Sequence, residues 1–115
     1  MSTKTLSVQL QRDLIPQIDV EVVVGRLNAI ASRPPSVQKG NASNELHLNV
    51  TFVTEDAPGL WDKIASELCL FMEPPSQISR GIIVVCEGDH GWNDYLLLYH
   101  FDRDKALDQF PPKQA

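Results

Sequence analysis

The chain has 115 residues, 43% of them hydrophobic and 22% charged, with a net charge of −5 and an isoelectric point near 5.0. That length accommodates one domain, 1–115, and the near-average composition excludes a collagen, a coiled coil and an intrinsically disordered chain. The longest apolar run has the length of one buried strand, so no membrane span is expected.

Residues 5–11 alternate, with Leu6, Val8 and Leu10 on one side and Thr5, Ser7, Gln9 and Gln11 on the other, which predicts a half-buried strand. Residues 12–18 contain Pro16 and read as a connection. In 19–33, Val20, Val23, Val24, Leu27, Ile30 and Ala31 form a helical stripe with Asp19 as N-cap. The competing pattern is alternation of Ile18, Val20, Val22 and Val24, which would make a strand before a shorter helix. The helical reading is the expectation, with Pro34-Pro35 as its stop.

Residues 33–44 are rich in Pro, Gly and Asn and read as a long polar loop. A second strand follows, with Leu46, Leu48, Val50 and Phe52 inward and His47, Asn49 and Thr51 outward. In 60–72 the positions Leu60, Trp61, Ile64, Leu68 and Phe71 or Met72 recur at helical spacing, with Pro58 suited to the first turn. Trp61 is expected in the core. Residues 82–86, apolar on both faces, predict a central strand, and 94–101 another, joined by a hairpin loop at 88–93. Asp102 is placed to cap a short helical turn reaching Leu107, and 109–115 read as a frayed tail.

The predicted fold is therefore α+β: a two-layer sandwich with a four-stranded, mostly antiparallel sheet covered by two helices, in the order β-α-β-α-β-β. A right-handed crossover through the first three elements would make the sheet mixed. The 5–11 strand is a candidate edge, through which a homodimer with a ligand pocket between sheet and helices would form.

Cys69 and Cys86 both lie in apolar stretches and are expected as buried, reduced thiols. Met1-Ser2-Thr3-Lys4-Thr5 opens a polar segment unlike a secretory signal, so the expected compartment is cytoplasmic.

Charge is unevenly placed. Residues 1–44 carry five basic groups and three acids, a net +2, whereas residues 45–115 carry five basic groups and twelve acids, a net −7. That sign disfavours nucleic acid and anionic membranes as partners and favours a basic protein. The densest polar group comprises Glu87, Asp89, His90, Asp94, His100, Asp102 and Asp104, beside Cys86. Its spacing matches no zinc, iron or calcium motif, and acidic turn residues explain it without a metal. A Cys86–histidine dyad is disfavoured because the thiol ends a buried strand, and neither a nucleophile elbow nor a phosphate loop is present. No cofactor is implied, and the expectation is a protein without catalytic activity. Trp92, in a Gly-flanked polar loop, is the type of aromatic anchor that interfaces use. The expected surface is Trp92 with Glu87, Asp89, His90, Asp94, Asp102 and Asp104, on a small acidic inhibitor that masks a basic partner such as a nucleic-acid-processing enzyme.

Overall fold

The structure, a computed structural model, describes residues 3–11, 13–31, 36–39, 47–71, 77–88, 91–102 and 104–108. Its elements are β1 (Lys4–Gln11), α1 (Val20–Ile30), β2 (Ser36–Lys39), β3 (His47–Thr54), α2 (Ala57–Glu67), a single 3₁₀ turn (Ile78–Gly81), β4 (Ile82–Gly88) and β5 (Gly91–His100). Four long strands and the short β2 make one antiparallel sheet in the order β2-β3-β1-β4-β5. Two helices cover one face, so the expected α+β sandwich is the observed one.

β1 is the centre of the sheet, not an edge, pairing with β3 from Lys4 to Gln11 and with β4 from Leu6 to Leu10. Both pairings are antiparallel, so no crossover makes the sheet mixed, and the 5–11 strand has no free edge to offer a second copy. Its alternation is the cause of this position. Leu6, Val8 and Leu10 are fully buried in register with Phe52, Val50 and Leu48 of β3. On β4, Ile82, Val84 and Cys86 extend the same buried rows. Thr5, Ser7, Gln9, Asn49 and Thr51 stay half-exposed on the opposite face, as an antiparallel sheet with one covered side allows.

α1 decides the ambiguous valine run. Val23 and Leu27 are buried, while Val22 is 57% exposed, the reverse of what an alternating strand would require. The Asp19 carboxylate accepts from the Glu21 N–H at 3.0 Å, satisfying one of the donors a helix start leaves open. The preceding connection is less peripheral than its composition suggests, because Ile15 is buried in the core. Gly81 lets that loop approach: a Cβ there would lie 2.8 Å from Ile15 Cγ2 and 3.1 Å from the Gln11 carbonyl.

Three boundaries differ from the sequence reading. The 33–44 segment is not all loop, since Ser36–Lys39 pairs with β3 as β2; four residues are too few for a periodicity signal, and the free edge of β3 supplies the backbone partners. α2 begins at Ala57, with the Asp56 carboxylate accepting from Gly59 N–H, and it stops at Glu67 instead of continuing to 72. There the Leu70 N–H returns to the Ala65 carbonyl and the Cys69 N–H to the Ser66 carbonyl, the two bonds of a Schellman turn, with Cys69 at φ 54°. Arg26 of α1 holds the same end, donating from Nε to Glu67 Oε1 at 3.0 Å and from Nη2 to the Glu67 carbonyl. The third difference is the hairpin. Gly88 pairs with Gly91, so the connection is two residues long and Trp92 stands on β5, not in a loop. The expected tail, 109–115, lies outside the described residues.

Candidate protein-binding surface

At the hairpin end, Trp92 is 48% exposed and Tyr95, on the same strand, is 52% exposed. Among the described residues β5 has only β4 as a strand neighbour, so its aromatics stand at the margin of the sheet. Glu87 is not a free surface charge. Its Oε1 accepts the Thr5 N–H at 2.6 Å, tying the end of β4 to the start of β1. Asp89 and His90 lie outside the described residues; Asp94 is on β5, with its side chain outside them.

β5 then bends. Its register against β4 shifts between Val84 and Val85, where Leu98 is the extra residue, and consecutive Leu98 and Tyr99 are both buried. A bulge produces this result, because it suspends the strict alternation of side chains. The Tyr99 hydroxyl donates to the Ser79 carbonyl at 3.3 Å, anchoring the strand to the 3₁₀ turn. Beyond His100, the Asp102 N–H donates to His100 Nδ1 at 2.9 Å and Asp102 Oδ1 accepts from the Asp104 N–H at 3.0 Å. That is one turn, not a helix reaching Leu107. The chain instead doubles back. The Asp108 N–H donates to the Leu97 carbonyl at 2.7 Å, while Asp108 Oδ2 accepts the Leu97 N–H at 2.8 Å. One residue thus occupies both backbone groups of Leu97 on the outer edge of β5.

Of the residues singled out from sequence, Trp92 and Glu87 stand toward the hairpin end of the sheet and Asp102 and Asp104 past the other end of β5. Gly91 pairs with Gly88 and His100 with Ile83, so the ten residues of β5 lie against only five residue steps of β4, roughly 17 Å at the strand rise of ~3.3 Å per residue. Asp102 lines a groove beside a different feature, a band of rings running from α2 to β5. Trp61 and Phe71 meet edge to face at 6.0 Å and 83°, and Phe71 and Tyr99 at 5.4 Å and 80°. Phe71 is 60% exposed, and Trp61, expected in the core, is only partly buried. An open groove of about 370 Å³ on one side of Phe71 is walled by Trp61, Leu98 and Leu107 and rimmed by Asp62 and Asp108. A smaller one, about 230 Å³, which Phe71 and Leu107 also line, reaches Tyr99, His100, Asp102 and Lys105.

Sequence reasoning missed Phe71, Leu107 and Asp108 as surface residues, although Asp62 is on the solvent side of its helix as the spacing implies. A signal existed: Leu68-Cys69-Leu70-Phe71 is apolar on every side, and one amphipathic helix buries only one stripe. Leu68 and Leu70 are buried, and the surplus emerges as Phe71.

The Cys86 thiol is poorly placed to act as a nucleophile. Cys86 is fully buried, and desolvation pushes its thiol from 9.0 to about 11, with Lys4 opposing and Glu87 reinforcing the rise. Cys69, expected to be buried as well, is partly exposed; both cysteines are free. Among the described residues no three His, Cys, Asp or Glu side chains converge on a metal position, and no described helix is long and apolar enough to cross a membrane. Comparison with protein-family models, with curated proteins and with solved structures returns no significant match, so the surface is interpreted from its own residues.

Proposed function

We propose that this protein is a non-catalytic binding protein that masks a basic protein partner, with Trp92 as anchor at the hairpin end of its acidic half. The observation that carries this reading is the placement of Trp92. A large ring, half open to solvent, stands on an edge strand in the part of the chain whose net charge is −7. Exposed aromatics of this kind contribute most when a partner desolvates them, and surrounding carboxylates speed the encounter with a cationic surface. Trp92 and Asp94 supply these two contributions on β5. Glu87 contributes to the field while its hydrogen bond holds the strand end in place.

The test is affinity capture with the intact protein, followed by titration of the captured partner against the wild type and the Trp92→Ala and Asp94→Asn variants. A basic partner whose association slows with rising salt, and whose affinity falls at least tenfold with Trp92→Ala, supports the reading. A captured partner of acidic character, or one indifferent to both salt and Trp92, overturns it.

A further inference from the structure

We propose that the groove between Trp61 and Phe71 receives an arginine side chain from a basic partner segment, as a second contact site of the same binding protein. This rests on the masking reading above but on different residues. The groove's shape and chemistry are specific. It holds about 370 Å³, within the ~300–1,000 Å³ range of ligand pockets and ample for a long side chain with its flanking backbone. Its walls are two rings, two leucines and a proline, Trp61, Phe71, Leu98, Leu107 and Pro58. Its rim carries Asp62 and Asp108, and no Lys, Arg or His is among its described lining residues.

An occupant must therefore offer apolar length and a positive charge. Because Trp61 and Phe71 meet edge to face, one of the two rings contributes only its edge to their contact and keeps its π faces uncommitted there. A cation seated on such a face is attracted to the ring quadrupole. Asp108 spends Oδ2 on the Leu97 N–H and has its second oxygen outside that bond; Asp62 is exposed on α2. A planar guanidinium stacks on the ring and reaches a carboxylate at the same time. An ammonium, a strongly hydrated point charge, does the second but stacks less well, so arginine is the better fit than lysine.

Phe71 sits where it does because the turn at Cys69 ends α2 early, and Leu107 because Asp108 latches the returning chain to Leu97. Two local devices thus converge on one cleft.

The probe is a short all-arginine peptide, titrated into the Trp92→Phe protein so that Trp61 is the remaining tryptophan fluorophore. The expected result is a saturable change in Trp61 emission, several-fold weaker with an all-lysine peptide of equal length. Phe71→Ser and Asp62→Asn should each weaken binding, the former about tenfold. Phe71 is exposed, so the variant should retain its fold, which far-UV circular dichroism and the thermal midpoint verify. Equal binding of the two peptides, or no effect of Phe71→Ser, overturns the groove assignment. So does a parent dimer that Phe71→Ser converts to monomer, which would give the groove to a second copy of the chain. Failure here with Trp92-dependent capture intact removes only the groove; loss of Trp92-dependent capture with groove binding intact removes only the hairpin anchor.

Discussion

Cys69 sits at the one described non-glycine position with a left-handed backbone, φ 54°, at the residue after the α2 C-cap. The left-handed region costs an ordinary L-residue roughly 1–2 kcal/mol, and glycine escapes that cost. Glycine also loses more backbone freedom on folding, which offsets about 0.4–1 kcal/mol. Both Cys69→Gly and Cys69→Ala remove the half-buried thiol, so their difference isolates the backbone term. Cys69→Gly should therefore exceed Cys69→Ala in stability by about 0.5–1 kcal/mol. At roughly 4 °C per kcal/mol for a chain of this size, the midpoints should differ by about 2–4 °C. Urea denaturation of the two variants, with equal m-values, gives the free-energy difference directly. If Cys69→Ala equals or exceeds Cys69→Gly, the turn is not the strained element that ends α2, and the account of how Phe71 reaches the surface loses its first step.

Cys86→Ala should flatten the alkaline limb of the stability profile. With the folded thiol raised to about 11 from 9.0, the unfolded chain releases its proton first, so wild-type stability falls as pH rises through 9 to 11. A chemical-denaturation series across that range should show this part of the slope missing in Cys86→Ala. In the native protein at pH 8, a thiol reagent should label Cys69 well before Cys86. Gly81→Ala should cost about 1–3 kcal/mol, because its methyl group meets Ile15 and the Gln11 carbonyl at 2.8–3.1 Å; an unchanged thermal midpoint would contradict that close approach. Tyr99→Phe should cost about 1 kcal/mol by urea melt, for the lost hydrogen bond to the Ser79 carbonyl.

Legibility in the sequence followed the physics of each element. β1 and β3 were readable because each is buried on one face only, so alternation survives: Leu6, Val8 and Leu10 against Leu48, Val50 and Phe52. α1 was readable from its stripe and from Asp19, although the valines obscured it until Val22 proved exposed and Val23 buried. β2 left no trace because its pairing depends on the backbone edge of β3, not on its own four residues. The end of α2 was hidden because its left-handed turn uses Cys69 where glycine would have announced it. In β5, Leu96-Leu97-Leu98-Tyr99 concealed a bulge, since four apolar residues in a row carry no period to interrupt. Of the candidate surface, the sequence left the exposure of Trp92 open, and it did not separate Glu87 from Asp102 and Asp104. That separation follows from a two-residue hairpin and the full length of the strand, which are tertiary facts.

The two ends of β5 bear on what a single partner could cover. Trp92 marks one end and Asp102 with Asp104 follow the other, while the groove of Phe71, Asp62 and Asp108 adjoins Leu97 and Leu98 between them. A standard interface takes about 800 Å² from each partner, a patch roughly 30 Å across and wider than the roughly 17 Å that the register of β5 on β4 spans. One basic protein laid along β5 would therefore reach both ends. Between them lies Leu97, whose N–H and carbonyl are already satisfied by Asp108. An incoming strand would have to displace that latch to extend the sheet there, whereas a partner engaging side chains alone would leave it closed. The latch thus favours recognition by ring and carboxylate over strand addition at that point, and it keeps Leu107 against the groove that such recognition uses.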